Sequence, residues 1–108
     1  MKGPCQIQLT CGSEAEASAI GRALLEQHLV VCVKKLDIFS VFHWKEKVES
    51  EKEVLLLMDS KLENFKEIED EVSKHHSYET FLLLATPIIA LSSEASLWMD
   101  KEIEISKS

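Results

Sequence analysis

Apolar and polar residues alternate without a break over residues 5–11, Cys-Gln-Ile-Gln-Leu-Thr-Cys. That period of two is the mark of a strand with one buried face, and it puts Cys5 and Cys11 beside Ile7 and Leu9 on the core side. Gly12 breaks the strand. Ser13, with Glu16 three residues on, forms a capping box: the hydroxyl accepts a helix N–H and the carboxylate reaches back. Ala17, Ile20 and Leu24 follow at helical spacing and predict a helix ending near His28.

Residues 30–33 restart the chain as strand and residues 36–44 continue it, with Phe39, Val41 and Phe42 as strong strand formers. Trp44-Lys45-Glu46-Lys47 is a polar break, after which residues 48–58 run back as the second arm of an antiparallel hairpin. The turn has no Gly, so its type stays open. Ser60 with Glu63 reads as a second capping box. Leu62, Phe65, Ile68 and Val72 then predict a helix ending near Lys74 and His75, cations set against the negative end of the helix dipole. Residues 81–85 read as a fourth strand filled on both faces. Pro87 stops or bends it, and residues 88–90 pair at an edge, where Pro is tolerated. Ser92 or Ser93 caps a last helix carrying Leu97, Trp98 and Ile105, and the tail Ser106-Lys107-Ser108 is expected to be mobile.

The order β-α-β-β-α-β-α predicts one α+β domain over residues 1–108, with no linker and no repeat. Right-handed crossovers turn a split βαβ pair into a four-stranded antiparallel sheet with two helices on one face. Strands two, three and four are apolar on both faces, yet helices cover one. A monomer rarely exposes such a patch, so self-association through the sheet is expected.

Composition narrows the function classes. The 108 residues are 45% hydrophobic and 29% charged, as in a folded soluble domain. Twelve basic residues against 19 acidic ones give a net charge of −7, which opposes general nucleic-acid binding. Three cysteines leave at least one thiol unpaired within a protomer. Cys5 and Cys11 lie roughly 20 Å apart along one strand, too far to bridge. Reduced thiols and a reducing compartment follow. Residues 1–6 have no signal-peptide core, and no apolar run approaches the length of a membrane span, so cytoplasm is the expected location.

Candidate chemistry is densest at residues 75–79, His-His-Ser-Tyr-Glu, which offer imidazole, phenol and carboxylate within five positions. Imidazole suits copper or zinc, and Glu79 adds an oxygen donor. The plainer alternative is a helix C-terminus whose imidazoles meet the last carbonyls. Cys32 is either a soft ligand or a packing residue between Val31 and Val33. Glu49, Glu51 and Glu53 form either a hard-cation site or a solvated edge that blocks aggregation. Trp44 with Lys45 and Lys47 either holds a small anion or docks a hairpin tip on a neighbouring subunit. No Walker sequence, zinc-protease pair or nucleophile elbow is present.

Several segments, in order, resemble the CutA family of divalent-cation tolerance proteins. Residues 20–26, Ile-Gly-Arg-Ala-Leu-Leu-Glu, resemble its I-A-R-A-L-V-E, and Val31-Cys32-Val33-Lys34 its A-C-V-N. Trp44-Lys45-Glu46-Lys47 resembles W-x-G-K, and residues 53–58 resemble E-V-L-L-L-I. His76-Ser77-Tyr78-Glu79 resembles H-P-Y-E, and Ala85-Thr86-Pro87-Ile88 resembles A-L-P-I. The sequence departs from the family at Lys34, Glu46 and Ser77, and at Phe81-Leu82, where the family carries Pro-Glu. The resemblance implies a ferredoxin-like βαββαβ sandwich with a C-terminal helix, assembled as a homotrimer similar to PII signalling proteins. It implies a role in tolerance of copper and other divalent cations, and no enzymatic reaction. No cofactor is required. Copper or zinc, if held, would use Cys32, His76 and Glu79, and Trp44, Lys47 and Tyr78 would line a cleft between subunits. The alternative is a structural platform or PII-like signalling trimer without metal chemistry of its own.

Overall fold

The computed structural model describes residues 1–105; the tail at Ser106-Lys107-Ser108 lies outside them. The elements in chain order are β1 (Pro4–Cys11), α1 (Glu14–Glu26), β2 (Cys32–Trp44), β3 (Lys47–Lys61), a 3-10 turn (Leu62–Asn64), α2 (Phe65–His75), β4 (Leu83–Pro87) and α3 (Ser93–Glu102). The strands form one sheet in the order β2-β3-β1-β4. Each neighbouring pair is antiparallel. This is the ferredoxin-like α+β arrangement, reached because each β-α-β crossover leaves room for a strand between its two ends.

The alternation over β1 is realised. Cys5, Ile7, Leu9 and Cys11 are fully buried, and across the ladder they meet Ser60, Met58, Leu56 and Val54 of β3. Ala17, Ile20 and Leu24 of α1 and Ile68 and Val72 of α2 close this core. Helix α1 lies very near the sheet. A Cβ on Gly21 would stand 2.9 Å from Val33 Cγ1, so glycine sets the approach of helix to strand. The three cysteines are free thiols.

The ends of α1 show how local chemistry sets element boundaries. Ser13 Oγ accepts the Glu16 N–H at 3.2 Å, as a capping box requires, while Glu16 reaches one residue farther back than the box predicts, to the Gly12 N–H at 2.8 Å. At the other end His28 takes a left-handed φ of 58°. Its N–H bonds the Leu25 carbonyl and that of Leu29 bonds Leu24, the pattern of a Schellman cap with histidine where glycine is usual. His28 Nδ1 donates to the Glu102 carbonyl at 2.9 Å, which ties α3 to the end of α1. Helix α3 begins after Ser92 and turns Met99 inward, leaving Leu97 and Trp98 exposed; Ile105 lies past its end.

Three boundaries differ from expectation. Ser60 caps no helix: β3 runs on to Lys61, and the buried Ser60 hydroxyl donates to the Leu29 carbonyl at 2.6 Å. Its partner in the supposed box, Glu63, instead accepts the Gly3 N–H at 2.9 Å. Strand β2 starts at Cys32, so residues 30–31 belong to the connection. Strand β4 starts at Leu83, two residues late, because Phe81 is spent packing on the core in the loop that leads from α2 to the sheet edge. Pro87 is the last residue of that edge strand, and residues 88–90 add no strand.

The hairpin of β2 and β3 outruns the sheet. Strand β1 ends at the pair Cys11–Val54, so residues 39–52 pair only with each other. They form an arm that stretches the molecule to 44 Å against 26 and 25 Å in the other directions. Phe39, Val41 and Val48 on this arm are about two-thirds exposed. Lys45 and Glu46 both take positive φ, 49° and 67°, the conformation of a two-residue type I′ turn that usually takes Asn and Gly. On the sheet face away from the core, Leu36, Leu55, Leu57 and Leu84 are only partly covered, interrupted by Gln8 and Thr10.

Candidate metal and loop-anchoring site

His76 is the residue at which α2 ends, and its N–H still bonds the Val72 carbonyl. The chain turns there towards the end of β1, and the imidazole becomes fully buried. Nε2–H donates to the Thr10 carbonyl at 2.9 Å, and Nδ1 accepts the Tyr78 N–H at 3.1 Å. Those two bonds fix the tautomer with its proton on Nε2. Phe81 stacks on the ring at 5.1 Å and Tyr78 tilts against it at 4.9 Å.

Glu16 sits beside this ring. Its Oε1 accepts the Ser77 N–H and lies 3.5 Å from His76 Nδ1, while Oε2 holds the Gly12 N–H. Burial works against its charged form, but the Ser77 and Gly12 N–H donors outweigh that and hold the carboxyl below its usual range. The residue that caps α1 therefore also anchors the loop after α2.

A second anchor lies next to it. Tyr78 Oη donates to Glu53 Oε2 at 2.7 Å. Glu53 is only 7% exposed, so this bond satisfies a buried carboxylate. The bond to Glu53, then burial, push the phenol up to about 12. Tyr78 reaches Glu53 by passing over Gly12, where a Cβ would stand 3.0 Å from the hydroxyl oxygen.

Cys11 completes the cluster. Burial first, then the charges of Glu16 and Glu53, raise its thiol to about 12. Among the described residues, the ligand atoms of Cys11, Glu16 and His76 form a group in which all lie within 4.8 Å of one another. Sulfur, oxygen and nitrogen donors thus converge from the end of β1, the first turn of α1 and the loop after α2.

The residues singled out in the sequence distribute differently. His76 and Tyr78 are in this network. Glu79 is exposed on the same loop and outside the cluster. Cys32 pairs with Asp59, five β3 residues beyond Val54, which is roughly 17 Å along the strand from the Cys11 end. Its Sγ is 3.5 Å from Lys34 Nζ, which also meets Asp59 Oδ2 at 3.4 Å. Cys32, His76 and Glu79 therefore do not form a cluster within one protomer. Trp44 and Lys47 face each other at the tip of the arm, with Lys45 Nζ 5.9 Å from the Trp44 ring centre. Glu49 and Glu51 are exposed as a solvated row would be, whereas Glu53 is buried. His75 bonds Glu71 at 2.8 Å within α2. From the sequence, Cys11 reads as a core thiol and Glu16 as a capping residue. The capping-box glutamate carried no sign in the sequence that it would meet residue 77.

An open groove of about 610 Å³ lies beside the network, between the start of α1 and the root of the arm. Gly12, Ser13, Asp37, Phe39, Lys52 and Glu53 line it.

Comparison with known proteins gives a consistent result. A family model described as CutA1 divalent ion tolerance protein matches residues 5–102. The divalent-cation tolerance protein CutA of Archaeoglobus fulgidus is 37% identical over 98 residues, which cover 91% of this chain and 96% of that protein. Protein CutA of Homo sapiens is 33% identical over 81 residues, covering 74% of this chain but 45% of its own length. The solved structure of the periplasmic divalent cation tolerance protein CutA from Archaeoglobus fulgidus superposes with a TM-score of 0.92 at 35% identity, over 94% of this chain and 100% of that one.

Proposed function

The chain belongs to the CutA1 divalent ion tolerance family, and on that premise we propose that it is a non-enzymatic homotrimer taking part in the cellular response to divalent metal, copper in particular. The observation that carries the assembly is the arm at residues 39–52. Phe39, Val41 and Val48 are exposed there, and a further copy of the chain would bury them. The partly covered leucines on the outer sheet face add to that surface. Copper or zinc binds weakly in clefts between subunits, with Cys32, His76 and Glu79 contributed by different protomers and Trp44, Lys47 and Tyr78 lining the cleft. The free thiols suit the cytoplasm. An acid–base enzyme built on His76 and Glu79 has the least support, because no nucleophile or cofactor motif accompanies the pair.

Sedimentation tests the assembly: a monomer at micromolar concentration would end it. Calorimetry with Cu²⁺ and Zn²⁺ tests the site. The expected result is a measurable heat at neutral pH that falls in Cys32→Ala and Glu79→Gln proteins. Equal heats in both variants would remove the shared cleft.

A second reading has its own support. His76 and Tyr78 are already committed to Thr10, Phe81 and Glu53. In that reading the trimer is a platform, or a PII-like signalling body, and these residues only hold it together. Dissociation of the assembly in His76→Ala and Tyr78→Phe proteins, with no metal heat in the parent chain, would favour it.

A further inference from the structure

We propose that Cys32 Sγ and Lys34 Nζ are the two ends of a reversible oxidative crosslink, an N–O–S bridge whose central oxygen atom comes from dioxygen. The inference goes beyond the assembly and metal readings above and needs neither.

Strand geometry brings the two groups together. Residues two apart on a strand share a face, so Cys32 and Lys34 both point away from the side of Val33, which packs on the core against Gly21 of α1. Asp59 is the Cα partner of Cys32 across the ladder of β2 and β3, which puts its carboxylate on the same face. Lys34 Nζ lies 3.5 Å from Cys32 Sγ and 3.4 Å from Asp59 Oδ2. The lysine side chain thus folds back along its own strand. Its side chain is 61% exposed, and a lysine so exposed has many rotamers open to it; the ion pair with Asp59 favours one that touches the thiol.

The contact suits a bridge of one atom. An oxygen bonded to both sulfur and nitrogen holds them somewhat closer than they are now, so closure moves only the end of a flexible side chain. Dioxygen is small and uncharged and reaches a partly exposed thiol without any opening of the fold. Cys5 and Cys11 are free thiols as well, but both are fully buried. The pairing is particular to this chain, because Lys34 stands where the CutA pattern A-C-V-N has Asn, which has no basic amine.

Closure breaks the thiol S–H bond and one N–H bond of the lysine, and forms an S–O and an O–N bond. Sulfur and nitrogen together give four electrons to one dioxygen. One of its oxygen atoms becomes the bridge, and the other leaves as water with the two hydrogens. The extra proton of the ammonium passes to Asp59 or to solvent. The bridge removes the thiol and the positive charge of Lys34 in one step, and Asp59 loses its cation. Reduction by a dithiol returns the thiol, the amine and a water, which is what makes the link a switch rather than damage.

Mass spectrometry reads the bridge directly. Protein is reduced, desalted and held in air-saturated buffer treated with a chelator, then digested with trypsin. The expected product is the segment with residues 32 and 34, gaining one oxygen and losing two hydrogens, closed to alkylation at Cys32 and to cleavage after Lys34. Dithiothreitol restores the original mass and the thiol, and protein kept under nitrogen stays unbridged. Lys34→Asn and Lys34→Arg abolish the product, the second keeping the charge without the amine. Asp59→Asn slows its formation about two- to fivefold, the range an exposed ion pair supplies. A parent chain that stays unchanged in air overturns the proposal, and so does a Cys32 that oxidises while Lys34 remains cleavable. A product that survives dithiothreitol, or that forms in Lys34→Arg, overturns it too, and an unchanged rate in Asp59→Asn removes the part given to the carboxylate. The parent chain alone decides the bridge if a variant does not fold.

Discussion

Val48 and Val54 are the same residue type on one continuous strand, and their surroundings are opposite. Val48 is 67% exposed and Val54 is 6% exposed. The difference lies in the neighbours of β3. From Val54 to Asp59 it is flanked by β1 as well as β2, and its core-side residues lie under the helices. From Lys47 to Glu53 it has β2 alone. Strand character comes from the side chains, but burial comes from whatever the fold places above and beside them. The root of the arm, where one regime passes into the other, is where Glu53, Tyr78 and Gly12 meet.

The largest expected break of this contrast is in the inner half. Leu56→Ala opens a cavity at a fully buried position and should lower unfolding stability by about 2–5 kcal/mol in urea titration. Next comes the anchor at the junction. Glu16→Gln removes a charged acceptor from the Gly12 and Ser77 N–H groups and should cost about 1–3 kcal/mol at neutral pH. Its sign with pH is fixed. The folded carboxyl titrates below the unfolded value of about 4.3, so its contribution is complete above that pH and fades as pH falls through the folded value. The acid limb of the stability curve should therefore flatten in Glu16→Gln; an unchanged limb would show that Glu16 is no anchor.

At the arm's tip the sign reverses. Glu46 holds a left-handed backbone, so Glu46→Gly should stabilise the hairpin by about 1 kcal/mol, seen as a higher melting temperature. The smallest effect on protomer folding is at Val48. Val48→Ser should stay within about 0.5 kcal/mol for the isolated protomer, as an exposed position does. It should nonetheless shift sedimentation towards smaller species if the arm is an assembly surface. A large loss of protomer stability there would erase the distinction between the two halves of β3.

Some of this was legible from single residues and their spacing. The alternation through β1, the Ser13 cap of α1 and the helical period of α2 depend on contacts within a few positions, and each appears as read. The errors also have a common cause. Ser60 and Glu63 have the spacing of a cap, but the strand pairing of Ser60 with Cys5 overrides it. The apolar run at residues 81–85 has no internal mark of where pairing starts, so the start of β4 at Leu83 was set by the Leu9–Leu83 register and the packing of Phe81. The turn at Lys45-Glu46 lacks the glycine that would have announced a type I′ hairpin, and the strands impose that conformation anyway.

Within the site, His76 and Tyr78 stand out by chemistry, and the sequence alone marks them. Cys11 and Glu16 do not, because their roles depend on partners 65 and 60 positions away in the chain. The sequence by itself determined the order of elements, the buried face of β1, the family and the chemistry available. Only the tertiary structure decided which donors meet. Local patterns record interactions across a turn of helix or a step of strand, whereas the gathering of Cys11, Glu16 and His76 follows from where α2 ends against the sheet.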